Sequence, residues 1–132
     1  MKKILKLPKV RKKKDYRQER RRSFFLSKSV EPGASEGIFI IEVRVENIGN
    51  IELRNIIIKD IFPVSFNLTK FTLSEAATHE IAQIGDQTEL SVNVAEIKPN
   101  SSFIINYDLS GLGNYQKSEP VVIILDKDKE SP

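Results

Sequence analysis

The sequence contains no cysteine and no tryptophan, one histidine and one methionine, and six each of glycine and proline in 132 residues. Without cysteine there is no disulfide, no thiolate metal site and no thiol nucleophile, which fits a reducing compartment. A single histidine removes the paired-histidine zinc spacings, and no Gly-rich phosphate loop occurs. No apolar stretch approaches the roughly 20 residues of a membrane-spanning helix. Met1-Lys2-Lys3-Ile4-Leu5 begins like an export signal, but Lys6, Pro8 and Lys9 break the apolar run short of the ~7–15 residues such a signal needs. The expected location is cytoplasmic, or peripheral to the inner face of the membrane. With glycine and proline this sparse and 39% of residues hydrophobic, the chain suits one ordinary domain with a core.

The net charge of +3 conceals two opposite segments. Residues 1–22 hold twelve Lys or Arg against Asp15 and Glu19, a net +10, while the remainder holds nine basic and sixteen acidic residues, a net −7. A block of like charge cannot pack on itself, and its field attracts polyanions. The expected organisation is a basic tail over 1–22, a folded domain over 23–126 and a mixed, acidic end over 127–132.

From Ser23 onward the apolar residues recur with period two, as strands with one buried face require. Phe39, Ile41, Val43 and Val45 alternate with Ile40, Glu42, Arg44 and Glu46; Leu90, Val92 and Val94 alternate with Glu89, Ser91 and Asn93; Ile105, Tyr107 and Leu109 alternate with Asn106 and Asp108. Leu53 to Asp60, Phe66 to Leu73, Val121 to Leu125 and Phe24 to Val30 bring the count to about seven. Turn signals fall between them at Glu31-Pro32-Gly33, Ile48-Gly49-Asn50, Gly85-Asp86, Lys98-Pro99-Asn100 and Gly111-Leu112-Gly113-Asn114, with Gly49 read as the positive-φ residue of a tight hairpin. Ser74 to His79 reads as a short helical turn or a loop. The pattern predicts an all-β, immunoglobulin-like antiparallel sandwich of about seven strands behind the basic tail.

The run Val43-Arg44-Val45-Glu46-Asn47-Ile48-Gly49-Asn50-Ile51-Glu52-Leu53-Arg54-Asn55-Ile56-Ile57-Ile58-Lys59-Asp60 resembles the strand, Asn-x-Gly turn, strand and Asp of the conserved immunoglobulin-like repeat domain of large prokaryotic, often archaeal, surface proteins. Pro63 stands where that family has its Pro. Glu96 to Ser102 resembles its Leu-x-Pro-Gly-x-Ser turn, with Asn100 replacing the Gly. The resemblance spans residues 28 to 125, and its motifs are structural turns that imply a fold rather than a ligand. Asn55 to Leu73, with its Pro-x-Ser-Phe-x-Leu segment at Pro63 to Leu68, also bears a weaker likeness to adaptin ear-type sandwiches.

Catalytic and cofactor constellations do not assemble in this sequence. His79 beside Glu80 reads as an exposed loop histidine, Asp60 as a turn cap, and the Asp126, Asp128 and Glu130 alternation as a solvated end rather than a calcium ladder, because Lys127 and Lys129 interleave with it. No cofactor, metal or small-molecule substrate is expected. The informative residues are Lys2, Lys3, Lys6, Lys9, Arg11, Lys12, Lys13, Lys14, Arg17, Arg20, Arg21 and Arg22, which can neutralise phosphates. Tyr16 could stack on a base of RNA or DNA. Ile4, Leu5, Leu7 and Val10 would instead suit shallow insertion into an anionic membrane, where each basic residue contributes about 1 kcal/mol. The leading expectation is a non-enzymatic protein-interaction or scaffolding module with a polyanion-binding tail. The alternatives are a nucleic-acid-associated protein bound chiefly through that tail, and a peripheral adaptor on anionic membrane.

Overall fold

The computed structural model describes residues 20–125. They form eight strands: β1 (Phe24–Pro32), β2 (Ile38–Asn47), β3 (Leu53–Pro63), β4 (Phe66–Leu73), β5 (Thr78–Ile84), β6 (Gln87–Ile97), β7 (Ser102–Gly111) and β8 (Val121–Ile124). One sheet has the order β1-β2-β7-β4 and the other β5-β6-β3-β8, with every pairing antiparallel. Set the β5–β6 hairpin aside as an insertion, and the first sheet keeps the A-B-E-D order of an immunoglobulin-type sheet, with β3 and β8 in the places of C and F.

The alternation read in the sequence is what fills the space between the sheets. Ile41, Val43 and Val45 of β2 and Phe103, Ile105, Tyr107 and Leu109 of β7 meet Ile56, Ile58 and Phe62 of β3 and Leu90, Val92 and Val94 of β6, all of them buried. Eight strands stand against the expected seven or so. The additional strand is β5, whose residues are all exposed, so no buried stripe announces it. Ser74 to His79 is correspondingly neither helix nor loop throughout: the chain bends through Ser74 and Glu75, and Thr78 and His79 already belong to β5.

Turn chemistry explains the strand reversals, with one correction. Asn47 is fully buried at the end of β2, where its amide donates to the carbonyls of Ile51 at 2.9 Å and Ile97 at 2.8 Å. Its Oδ1 accepts from Gly49 N at 2.9 Å. Gly49 does not have the positive φ expected of it. It is needed for closeness instead, since a Cβ there would lie 2.3 Å from the Arg21 carbonyl oxygen and 2.8 Å from Ser23 N. Asn100 does take up the left-handed backbone, at φ 66°, which asparagine tolerates better than most residues and which accounts for its standing at a glycine position.

Candidate functional site

Two features stand out from the apolar sandwich: a buried ionic cluster joining the sheets, and an uncovered edge. Lys28 of β1 and Asp60 of β3 form an ion pair at 3.0 Å with side chains 1% and 2% exposed. The Lys28 ammonium also donates to the Ser118 carbonyl at 3.0 Å and lies 5.8 Å from the centroid of the Tyr115 ring. Tyr107 of β7 donates its hydroxyl to the second oxygen of Asp60, and Ser118 Oγ donates to the Ile61 carbonyl at 2.9 Å. Burial, reinforced by the Asp60 charge, pushes the Tyr107 hydroxyl far above the usual phenol range, and the same two causes push Tyr115 up to about 12. Asp60 is therefore not a turn cap but a mid-strand carboxylate pairing with Lys28.

A charge in a low-dielectric interior is tolerated when paired and hydrogen-bonded, and here each oxygen of Asp60 has its own donor. The cluster ties β1 and β7 of one sheet to β3 of the other, and pins the 112–120 connection that delivers β8. Tyr115 completes that anchorage by stacking on Phe39 at 5.3 Å and meeting Phe66 edge-on at 5.8 Å. The Lys28–Asp60 pair and the Tyr107 hydroxyl are sealed from solvent. The cluster is a fastening between sheets.

The uncovered edge is β5. Four strands end the two sheets, and an open strand edge invites another strand unless it is blunted. β1 carries the inward-pointing charge of Lys28 and ends in Pro32. β4 shifts register between Leu68 and Lys70 and bears that lysine. β8 is only four residues long. β5 runs for seven residues in unbroken register with β6, has neither proline nor lysine, and carries the single charge of Glu80. By register, His79 and Ile81 share the inner face with their partners Val92 and Leu90, yet Ile81 is 48% exposed. A shallow groove of about 520 Å³ opens beside it, lined by Phe71, Leu73, Ala76, Ala77 and His79 together with the polar Ser74 and Glu75. The rings of Phe71 and His79 meet across it at 4.5 Å. His79 is thus exposed, as expected, but on a strand and against an aromatic.

Of the basic residues singled out above, Lys2, Lys3, Lys6, Lys9, Arg11, Lys12, Lys13, Lys14 and Arg17 lie outside the described residues, as do Tyr16 and the acidic alternation of Asp126, Asp128 and Glu130. Arg21 is bound to the sandwich: its backbone N donates to Asn50 Oδ1 at 2.6 Å, and its carbonyl accepts from Asn50 N at 3.0 Å. Contact with the β2–β3 turn therefore begins inside the segment assigned to the tail. Among the described residues no three His, Asp or Glu side chains gather as a metal cluster. Lys28 had no signal in the sequence beyond an inward position in its strand, and Tyr107 was legible only as core.

No protein-family model matches the chain, and no curated protein matches it by sequence. Solved structures do match. A family 3b carbohydrate-binding module from the biomass-sensing system of Clostridium clariflavum superposes with a TM-score of 0.52 at 15% identity, covering 79% of this chain and 92% of that one. A CBM3 module of Hungateiclostridium clariflavum gives 0.52 at 12% identity, covering 79% and 93%. Part of the GH20 exo-β-N-acetylglucosaminidase of Vibrio harveyi gives 0.52 at 11% identity, covering 78% of this chain and 16% of the enzyme. At these identities the likeness is one of fold, and the fold they share with residues 20–125 is the two-sheet β-sandwich.

Proposed function

We propose that the chain is a non-enzymatic interaction module, in which the β5 edge of the sandwich receives a protein strand and the basic residues from Lys2 to Arg22 hold a polyanion. The observation that carries the reading is the unblunted β5 edge beside its aromatic groove, a combination suited to strand addition, where backbone hydrogen bonds supply affinity and a pocket for alternate side chains supplies selectivity. The carbohydrate-binding modules among the structural neighbours support a binding role in general. A sugar ring stacks on an exposed aromatic face, however, and Phe25, at 57% exposure, is the one exposed Phe or Tyr among the described residues. A protein ligand fits this surface better. A kinship with the immunoglobulin-like repeat domain is proposed on Asn47, Gly49, Asp60, Pro63 and Asn100.

The tail half of the proposal is tested by comparing the full chain with a truncation that starts at Arg20, so that the Arg21 contacts with the β2–β3 turn are kept. The full chain is expected to be retained on heparin, RNA or anionic vesicles, and the truncation to pass through. If six of the basic residues meet single-stranded phosphates, RNA binding falls with salt at a log–log slope of about −4. Binding that tracks anionic lipid content and survives Tyr16→Ala assigns the polyanion to a membrane. Equal retention of both proteins contradicts the assignment to the tail.

A further inference from the structure

The sequence of β5, Thr-His-Glu-Ile-Ala-Gln-Ile over residues 78–84, is complementary to itself when reversed. In an antiparallel pair centred on Ile81, Ile81 meets its own copy, Glu80 meets Ala82, His79 meets Gln83 and Thr78 meets Ile84. The strand's one carboxylate faces a small neutral residue, and an exposed isoleucine falls on the axis. Centring on Glu80 would instead set two carboxylates directly opposite, which is destabilising. Centring on Ala82 would set Ile81 against Gln83 and Glu80 against Ile84. The residue types thus select one register.

We infer that the strand received by β5 is the β5 of a second copy of this chain, paired about a two-fold axis through Ile81. The inference rests on the reading of β5 as an interface and names its occupant. A two-fold pairing uses the same patch on both copies and closes on itself, leaving no growing end. It joins the two four-stranded sheets into one of order β8-β3-β6-β5-β5-β6-β3-β8. It also sets each Ile81, 48% exposed in the isolated sandwich, beside its own copy. One seven-residue strand pair is a small interface, so the dimer is concentration-dependent.

The absence of cysteine makes the test clean. Ile81→Cys in the full chain places a single thiol on the axis, where same-residue Cα atoms of an antiparallel pair lie about 4.5–5.5 Å apart. That distance is within disulfide reach. Mild oxidation is expected to convert this variant largely to a covalent dimer, while Val121→Cys on β8, at a similar 52% exposure, lags well behind. Ala82→Lys adds two symmetric Glu80–Lys pairs in this register and is expected to tighten the dimer by about two- to thirtyfold in sedimentation equilibrium. A lysine on a strand edge ordinarily discourages pairing, so weakening by Ala82→Lys overturns the inference. A chain that stays monomeric at every concentration, or Ile81→Cys cross-linking no faster than Val121→Cys, also overturns it. Those results would leave β5 free for a strand of another protein, so the dimer and the broader interface reading fail separately.

Discussion

Lys28 and Asp60 are the charged side chains that the described part of the sandwich buries, and their cost is met by geometry rather than by proximity alone. Asp60 accepts from Lys28 on one oxygen and from Tyr107 on the other, while Lys28 has the Ser118 carbonyl as a second acceptor. Removing one partner strands the other in the core. Asp60→Asn and Lys28→Met are each expected to cost about 3–5 kcal/mol in urea unfolding. The double change Lys28→Met with Asp60→Asn removes both charges, leaves the Tyr107 hydroxyl an acceptor, and recovers most of that loss. Single losses that simply add in the double variant would show that the two residues do not act as a pair. The tyrosines give the cluster a pH signature. Tyr107 ionises near 10 when unfolded and far higher when folded, so its contribution is fully present below pH 10 and is lost as pH rises beyond it, by about 1.4 kcal/mol per pH unit. Tyr115, raised to about 12, steepens the same fall between 10 and 12. Stability measured from pH 9 upward is expected to hold and then drop. Phenolate absorbance from Tyr107 appearing near pH 10 in the folded protein would contradict this.

At the scale of elements, legibility in the sequence followed burial. β2, β6 and β7 alternate clearly because each sets one face on the core, so their buried residues could be named from period two alone. β5 alternates too, as His79, Ile81 and Gln83 against Thr78, Glu80, Ala82 and Ile84, but no stripe of it is buried and its mixed residues mimic a loop. The strand proposed as the binding edge was therefore the one the pattern could not mark. Turn positions were legible where a residue type serves one geometry, as with Gly85 at φ 64° opening the two-residue β5–β6 hairpin. Gly49 was legible as a glycine site but for another reason, because the close approach of Arg21 is a tertiary contact that no local pattern encodes. The same holds for Lys28 and Asp60, 32 residues apart in the chain and joined only when the sheets stack.

For the whole molecule, the sequence divides into a segment of +10 and a remainder of −7, and the proposed function gives each its own partner. On the proposed reading, charge draws the N-terminal segment to a polyanion, while the sandwich presents the β5 edge to a second copy of the chain. Linking the two in a dimer doubles the basic segments per assembly, and two tethered sites on one polyanion bind more tightly than either alone. The β5 edge is the centre of this account, and amide hydrogen exchange in the full chain examines it most directly. In dilute solution the outward-pointing amides of Thr78–Ile84 are expected to exchange rapidly, because β6 satisfies only one side of the strand. With rising protein concentration those amides are expected to become protected while the free edges of β1 and β8 do not change. Unchanged β5 exchange at all concentrations, or protection arising at β1 or β8 instead, would contradict the account.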